Sequence, residues 1–467
     1  MDIKEFINKV CQEIKYEPVK KGISEELTSH IQDIKEEYIN KGIQEKEAEE
    51  KAVSQMGIAE DIGRNLNKIH KPKLDWKLLI LIIALMGFGI FVSIIKQETI
   101  DNNNLGNVVI YTLLGIVLSI GVYFFDYKKL KKHSLKIYLF ATILMIIPML
   151  NFGPMINGIK YIRLFSITIY PATITVPLYL IAFIGFIIDY NKNNKLNLTI
   201  LNKDISINKD LAKIIITCLT SLILIESVPS FANASILGLS YLIIATIKII
   251  QCKENIVKNL IFLYGVPLLF SALIFIMLLQ GSSFRLERVL TSFNPERDPQ
   301  GSGWVGMLQK DILENAKLIG EADTEALSIE NSILGVESNY TFIYIIGKTG
   351  FLVAGVLTLI VVLTSIRLIY NAKSIKELYG KYLIIGLGTL YILQSFATIL
   401  MNINMGLQTN VNLPFVTFGG VFFIVNILSI ALILSVYRRK DINEYEEDKE
   451  SKFVLFKVKE RIINKYE

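Results

Sequence analysis

The stretch "KLLILIIALMGFGIFVSII" (residues 77–95) has no charged residue after Lys77. A helix needs about 20 mostly apolar residues to cross a bilayer, so this stretch predicts a membrane span. Nine further stretches are also long and mostly apolar, and 52% of all residues are hydrophobic, with a mean hydropathy of +0.45. The ten predicted spans are 77–95, 106–125, 136–151, 171–188, 211–228, 233–250, 259–279, 340–370, 382–402 and 416–437. The predicted fold class is therefore all-α, a polytopic membrane protein with about ten transmembrane helices.

Lysine and arginine are concentrated in alternate loops between these spans. The basic loops are 126–133, 191–204, 251–255 and 371–381, whereas 97–106, 226–234 and 402–414 are nearly free of basic residues. Lys160 and Arg163, in the segment 152–170, are the exceptions. Since cytoplasmic loops carry the excess of basic residues, both termini are predicted in the cytoplasm and the long loop 280–339 outside.

The chain is predicted to have three regions. Residues 1–73 form a small cytoplasmic helical bundle, 74–440 the membrane domain with its large extracellular loop 280–339, and 441–467 a charged cytoplasmic tail. In the first region, Ser24 is predicted as the N-cap of a second helix that ends before Gly42. The charged, amphipathic N-terminus does not resemble a cleavable signal peptide.

Charge and cysteine content exclude several classes of function. The net charge of +6 is explained by cytoplasmic loops that face anionic lipid, and no basic patch with interleaved aromatic residues predicts nucleic-acid binding. Cys11, Cys218 and Cys252 are all predicted inside or within the membrane, so no disulfide is expected. Neither the cysteines nor the three histidines have the spacing of metal ligands.

Four stretches, in chain order, carry recognisable motifs. They are "NGIKYIRLFSITIYPATITV" (157–176), "VPSFANA" (228–234), "FRLERVLTSFNPERDPQGSGW" (284–304) and "NLPFVTFGG" (412–420). Together they resemble the SEDS family (FtsW, RodA, SpoVE): "RWI" followed by "QPSE", then "QPDLGTA", then the arginine-to-glycine segment after the seventh span, then "LPFISYGG". The resemblance covers about residues 75–440. Residues 1–73 resemble the HAAS-type helical prefix that precedes membrane domains in Gram-positive bacteria, which implies docking to an unknown cytoplasmic partner.

The SEDS resemblance implies a peptidoglycan glycosyltransferase of the bacterial cell membrane, active in cell shape, division or sporulation. Such an enzyme polymerises lipid II at the outer face with a class B penicillin-binding protein as partner. The reaction needs a base for the attacking hydroxyl and cations for the pyrophosphate leaving group, and a divalent cation (Mg²⁺ or Mn²⁺) stays open as a cofactor. The predicted pyrophosphate-binding residues are Lys160, Arg163, Arg285 and Arg288, and the motif positions predicted to bind substrate are Gln394, Pro414, Gly419 and Gly420.

The position expected to hold the catalytic aspartate departs from the family pattern. In "ESNYTFIYIIGKTG" (337–350), alignment to the family's "TDFIF" places Asn339 on the aspartate, and a shift of one residue places Thr341 there. Neither residue is an acid, and an amide has no useful basicity near neutral pH. Glu337 is the possible substitute. In an extended segment, Glu337 would lie about 6.6 Å from residue 339 and point to the same side. On a helix, the two side chains would point in directions about 200° apart.

Other charges of the family are also replaced. The glutamate of "QPSE" and the lysine three residues later become Thr173 and Val176, and the aspartate of "QPDLG" becomes Ser230. Losing both partners of a membrane ion pair leaves no uncompensated charge behind. The joint losses indicate that selection on the usual site has relaxed or changed.

Three functions are therefore compared. The first is a lipid II-dependent glycosyltransferase with an altered site. The second is a catalytically inactive SEDS relative that binds lipid-linked precursor or scaffolds a transpeptidase. The third is a flippase of lipid-linked precursors, which is weakened because no intramembrane acid or base stands in a clear relay arrangement and Glu226 lies at a predicted span end.

Overall fold

The computed structural model describes residues 1–99, 104–150, 153–156, 159–164, 167–190, 194–200, 203–228, 230–252, 256–257, 260–261, 263–264, 283–327, 339–417 and 420–440. These residues separate into two compact units. One comprises Met1–Leu74 and Arg438–Glu467, and the other comprises Asp75–Tyr437.

The N-terminal unit contains four helices: α1 (Ile3–Glu13), α2 (Glu17–Asn40), α3 (Glu45–Met56) and α4 (Ala59–His70). Their apolar faces share one core, in which Phe6, Val10 and Ile31 are fully buried. The predicted N-cap at Ser24 is wrong, because α2 already begins at Glu17, where Pro18 fits the first turn. The helix does end before Gly42, whose φ of 86° suits a residue without a side chain.

The larger unit is built mainly of helices. They are α5 (Trp76–Thr99), α6 (Asn104–Phe124), α7 (Lys128–Lys132), α8 (Ser134–Ile146), α9 (Pro171–Ile188), α10 (Lys209–Ser227), α11 (Phe231–Cys252), α12 (Ser283–Phe293), α13 (Trp304–Asn315), α14 (Thr341–Thr349), α15 (Phe351–Ser374), α16 (Leu378–Asn402) and α17 (Val421–Arg438). Among the described residues, seven helices are long and apolar enough to cross a membrane: α5, α6, α9, α11, α15, α16 and α17.

The remaining three predicted spans differ from these seven. Residues 134–150 form a shorter apolar helix that ends in a 3-10 turn. Helix α10 is long enough but less apolar than the seven, because it contains charged residues such as Lys209 and Asp210. The predicted span 259–279 lies mostly outside the described residues. The helical, polytopic fold class is confirmed, while the count of ten spans stays a prediction.

The long predicted span 340–370 is two helices, α14 and α15, separated at Gly350. Gly350 has a φ of 92°, and a Cβ there would lie 2.7 Å from the Leu318 carbonyl oxygen and 2.8 Å from that of Lys317. The helix is therefore broken at Gly350, where two backbone segments approach closely. Helix α15 alone has the length of a span, while α14 is a separate buried element.

Three antiparallel hairpins interrupt the helical pattern. They are β1 (Met155–Ile156) with β2 (Ile159–Lys160), β3 (Ile162–Leu164) with β4 (Ile167–Ile169), and β5 (Lys195–Ile200) with β6 (Lys203–Asn208). The sequence analysis predicted loops at these places. In the third hairpin, Lys195 pairs with Asn208 and Ile200 with Lys203, and along β5 polar and apolar residues alternate.

Candidate functional site

Residue 339 stands at the entrance to helix α14. Asn339 is half-buried, and the seven residues from Thr341 to Gly347 are all buried. The N-cap residue Tyr340 makes no side-chain cap bond, so the first turn of α14 must satisfy its N–H groups elsewhere. The entrance is thus enclosed by other elements of the protein rather than by solvent.

Asn402, the last residue of α16, supplies the missing cap. Its Oδ1 accepts the N–H of Ile343 at 3.0 Å, and its Nδ2 donates to the Asn339 carbonyl at 2.9 Å. The same Nδ2 donates to the Thr398 carbonyl at 2.8 Å, and the residue is fully buried. One amide therefore fixes the backbone on both sides of Tyr340 and ties it to a membrane helix.

A chain of neutral hydrogen bonds continues from Tyr340. Its hydroxyl donates to Gln408 Oε1 at 3.1 Å, Gln408 Nε2 donates to Gln309 Oε1 at 2.8 Å, and Gln309 Nε2 donates to the Met401 carbonyl at 3.3 Å. Burial raises the pKa of Tyr340 to about 12, against the opposing effect of Arg288. The phenol is therefore neutral near pH 7 and acts as a hydrogen-bond donor, not as a base.

Arg288 is the predicted cation that the structure places beside this site. It lies on α12, where its carbonyl accepts the hydroxyl of Ser292 at 2.7 Å, and Ser292 in turn accepts the N–H of Gln408 at 3.2 Å. Arg285 lies on the same helix, but its side chain is outside the described residues. This arrangement supplies positive charge at the edge of the neutral network.

The other two predicted cations lie in the hairpins after α8. Lys160 pairs with Met155 across β1 and β2, and Arg163 pairs with Thr168 across β3 and β4. Between described residues, no hydrogen bond or ion pair joins Lys160 or Arg163 to the surroundings of residue 339. Their role in a shared pyrophosphate site stays a prediction.

The described acids of the outer segments have other partners. Glu287 pairs with Arg297 at 2.9 Å, Asp298 accepts the Ser302 N–H at 2.7 Å, and Glu321 pairs with Lys348 at 2.7 Å. Lys310 pairs with Glu296 and, at 3.8 Å, with Glu314, while Asp311 accepts from Thr324 and Asn315. Glu337 lies outside the described residues, so its predicted role as a substitute base is untested.

The motif "NLPFVTFGG" packs against the entrance of α14. Thr417 Oγ1 lies 3.5 Å from Thr341 Oγ1, and both residues are buried, as is Pro414. Gly420 has a φ of 49°, and a Cβ there would lie 3.1 Å from the ring of Tyr111. The motif therefore bears on the same entrance as Asn339, while Gly419 lies outside the described residues.

A small cavity lies between α9, α16 and α17. About 20 Å³ of it is accessible to the centre of a water molecule, enough for about one water. Its lining brings together Gln394 and Thr173, with Tyr391 and Asn426 as further polar groups and mostly apolar residues elsewhere. The described site residues thus lie in three places: the entrance at 339, this cavity with Gln394, and the hairpins that carry Lys160 and Arg163.

The sequence analysis did not identify the residues that build the entrance. Asn402, Gln408, Gln309 and Ser292 were not singled out, and their partners lie 59 to 116 residues away along the chain. For Asn402 and Gln408 the signal was the presence of amides at the end of an apolar span and in a loop without basic residues, whereas Gln309 and Ser292 had no such signal. No group of three or more metal-binding side chains occurs within the described part of the chain.

Similarity to known proteins extends over most of the chain. The FtsW/RodA/SpoVE cell cycle protein family matches residues 74–442. The probable peptidoglycan glycosyltransferase FtsW of Trichlorobacter lovleyi is 21% identical over 386 residues, which cover 79% of this chain and 96% of that protein. The corresponding FtsW of Idiomarina loihiensis is 26% identical over 174 residues, or 34% of this chain and 40% of that protein.

Solved structures share the fold. A chain of a peptidoglycan synthase complex that coordinates polymerization and crosslinking superposes with a TM-score of 0.62 at 18% identity, covering 79% of this chain and 98% of that one. The rod shape determining protein RodA of Thermus thermophilus superposes with a TM-score of 0.55 at 15% identity, covering 79% of this chain and 97% of that one. The similarity therefore extends through the whole membrane unit.

Proposed function

The chain belongs to the FtsW/RodA/SpoVE family of cell cycle proteins, and from this we propose that it is a peptidoglycan glycosyltransferase that polymerises lipid II. The observation that carries the proposal is the extent of the match, which covers 96% of a relative that bears this name. It is a multi-pass protein of the bacterial cell membrane. The proposed role lies in cell shape, division or sporulation, with both termini in the cytoplasm.

In the proposed reaction, a sugar hydroxyl of one precursor attacks the anomeric carbon of another, and the lipid pyrophosphate leaves. A base takes the hydroxyl proton, and cations stabilise the pyrophosphate. Arg288 supports the second role, because it stands beside Tyr340 at the entrance of α14. We assign Lys160, Arg163 and Arg285 to the same role by motif. Tyr340 stays neutral, and its single hydroxyl proton is donated to Gln408, so its role is to position that amide at the entrance.

The general base differs from the one that the family pattern implies. We place Asn339 at the position of the family's aspartate, where its amide cannot accept the proton. Glu337, two residues earlier, is the proposed base. The described entrance offers amide oxygens from Asn339, Gln309 and Gln408, and Mg²⁺ prefers carboxylate ligands, so these residues alone fit a divalent cation poorly.

A catalytically inactive relative is the second candidate, and the neutral network favours it. No described carboxylate bonds to Asn339, Tyr340, Gln309 or Gln408. Such a site can hold sugar hydroxyls by hydrogen bonds without activating them. A protein of this kind would act by binding precursor or by scaffolding a transpeptidase.

Polymerisation of purified lipid II, with and without a class B penicillin-binding protein, separates the two candidates. If Glu337 is the base, Glu337→Gln lowers the rate by about 10²- to 10⁴-fold, whereas Glu314→Gln on the exposed part of α13 leaves it unchanged. The enzyme proposal is overturned if wild type binds lipid II but makes no polymer under any pairing. Gain of polymer on Asn339→Asp, but not on Asn315→Asp, would identify position 339 as the lost base.

We also propose that residues 1–73 are a HAAS-type docking domain for a cytoplasmic partner and that 441–467 is a cytoplasmic tail. The four-helix core of Met1–Leu74 supports a separate module. A class B penicillin-binding protein is the proposed membrane partner, because the similar solved chain comes from a peptidoglycan synthase complex.

A further inference from the structure

Helix α15 carries a continuous stripe of exposed apolar side chains along its length. The stripe consists of Leu352, Val356, Leu359, Leu363 and Ile366, each at least 43% exposed. The spacing of three and four residues places them on one face of the helix. Because α15 is a candidate membrane span, this face is the surface that meets lipid.

The segment 316–320, "AKLIG", is fixed to the first residues of that helix. The N–H groups of Phe351 and Leu352 donate to the carbonyls of Lys317 and Leu318, each at 3.0 Å. These carbonyls satisfy two of the N–H groups that the start of a helix leaves open. The segment therefore has a fixed position at the N-terminal end of α15.

The same segment exposes two large apolar side chains. Leu318 is 69% exposed and Ile319 is 67% exposed, and the stripe of α15 begins at the residue bonded to Leu318. Single exposed apolar side chains are ordinary on soluble surfaces. An adjacent pair held at the end of a lipid-facing stripe extends that stripe instead.

The position of the pair along the membrane normal follows from the helix lengths. Helices α15 and α16 have 24 and 25 residues and are joined by three residues, so Phe351 and Asn402 lie at nearly the same level. Leu318 and Ile319, bonded beside Phe351, lie at this level too. A 24-residue helix is about 36 Å long, slightly more than the hydrocarbon core of about 30 Å, so this level corresponds to the boundary between the hydrocarbon core and the lipid headgroups.

We propose that the segment 316–320 is a membrane anchor whose Leu318 and Ile319 side chains insert into the leaflet at the N-terminal end of α15. Lys317, exposed next to them, reaches lipid phosphate, as lysine side chains do at interfaces. Gly320, the last residue of the anchor, donates to the Thr349 carbonyl at 3.1 Å, and Ala322, two residues later, donates to the Gly347 carbonyl at 2.7 Å, so the anchor is also tied to helix α14. It thereby sets the depth of the entrance at residue 339.

Spin labels on the full chain in liposomes of phosphatidylglycerol and phosphatidylethanolamine test the anchor. Cys11, Cys218 and Cys252 are first changed to serine, and single cysteines then replace Leu318, Ile319, Leu359 or Asp323. Leu359 is the lipid-facing reference and Asp323 the exposed polar reference. Collision with oxygen, which concentrates in lipid, is compared with collision with a water-soluble nickel chelate.

The anchor predicts that labels at 318 and 319 favour oxygen, with a ratio shifted from the Asp323 value toward the Leu359 value. A ratio equal to that at Asp323 would mean that the pair faces water and would overturn the anchor. Low collision with both reagents would also overturn it, because the pair would then be covered by protein. The measurement needs no enzymatic activity, so its outcome is independent of the proposed function.

Discussion

A single buried amide organises the entrance at residue 339. Asn402 bonds the Asn339 carbonyl, the Ile343 N–H and the Thr398 carbonyl at 2.8 to 3.0 Å. Because its side chain is fully buried, water cannot replace any of these bonds if the amide is lost. The backbone at 339 is thus positioned by a residue of another helix, whatever side chain stands at 339 itself.

Asn402→Ala is expected to lower the free energy of unfolding by about 1–3 kcal/mol, because a buried N–H and two carbonyls lose their partner. Asn315→Ala is the control, since that exposed amide bonds only within its own helix turn. Thermal unfolding in lipid nanodiscs measures both variants. Equal effects of the two changes would show that the Asn402 bonds do not hold the entrance.

For single residues, the sequence predicted the motif positions but not the residues that contact them in the fold. Asn339, Pro414 and Gly420 were predicted by resemblance, and the structure places Thr417, from the motif of Pro414 and Gly420, against Thr341. Asn402 and Gln309 have no motif, and their role depends on contacts 59 and 99 residues away. Such contacts are fixed by tertiary packing, which local periodicity does not encode.

Among the elements, the break between α14 and α15 depends on Gly350. Its φ of 92° and ψ of 172° are accessible essentially to glycine alone, and strain of this kind costs about 1–3 kcal/mol. A Cβ would also meet the Lys317 and Leu318 carbonyls below 3 Å. The turn therefore joins the buried helix, the span and the segment 316–320 at one residue.

Gly350→Ala is expected to destabilise the protein by at least about 1–3 kcal/mol through this strain. Gly355→Ala is the matched control on α15, because a Cβ there meets nothing within 4 Å and alanine is the better helix former. Melting temperatures of both variants in nanodiscs should diverge, with Gly355→Ala at or slightly above wild type. A neutral Gly350→Ala would show that the break does not need glycine.

Long periodic elements were the most predictable part of the fold. Seven of the ten predicted spans are helices of spanning length, since twenty apolar residues leave few alternatives in a membrane. The hairpin of β5 and β6 was predicted as loop, because lysine and asparagine in "KLNLTILNKDISIN" (195–208) concealed its two-residue alternation. Short strands are stabilised by cross-strand pairs, and the composition of the segment does not reveal which residues pair.

A buried ion pair joins α5 to α15. Arg367 donates to both oxygens of Asp75, at 2.7 to 3.1 Å, and Asn371 donates to Asp75 at 2.6 Å. Burial acts to raise the pKa of Asp75, but the bonds from Arg367, Asn371 and the Leu78 N–H outweigh it, so the pKa is lowered. The carboxylate is therefore charged at neutral pH although its side chain is only 1% exposed.

Arg367→Met alone is expected to cost about 3–5 kcal/mol, because it leaves a buried charge unmatched. The double change Asp75→Leu with Arg367→Met should recover most of that loss, since no charge then remains buried. Glu287→Gln, in the exposed pair with Arg297, should change stability by about 1 kcal/mol or less. Unfolding of all three variants is compared, and a double variant as unstable as the single one would contradict this account.

The pair also predicts a pH dependence. Because the pKa of Asp75 is lower in the folded protein than in the unfolded chain, its stabilisation is fully present above the unfolded value, about pH 4. It is lost as the pH falls through the lower, folded-state pKa. On acidification below about pH 4, the free energy of unfolding should therefore fall more for wild type than for the double variant. Between neutral and mildly acidic pH, the two proteins should show the same pH dependence.

On the scale of the whole molecule, two independent observations divide the chain at nearly the same place. The family match begins at residue 74, and the contact boundary lies between Leu74 and Asp75. The helices before this boundary have a hydrophobic core of their own, with Phe6, Val10, Ile14 and Ile31 at 1% exposure or less. A separate core is the physical requirement for a unit that folds and unfolds independently.

Phe6→Ala is expected to destabilise the N-terminal unit by about 3–5 kcal/mol, because it removes a fully buried ring from a small core. Ile58→Ala is the control, since Ile58 is 62% exposed and its truncation leaves no cavity. Hydrogen exchange of the full chain in nanodiscs, followed segment by segment, should show loss of protection in α1–α4 for Phe6→Ala alone. Because the units have separate cores, α9 and α16 should exchange as in wild type in both variants. Loss of protection in α9 or α16 on Phe6→Ala would instead mean that the two units unfold together, and residues 1–73 would then be part of the membrane fold rather than a docking module attached to it.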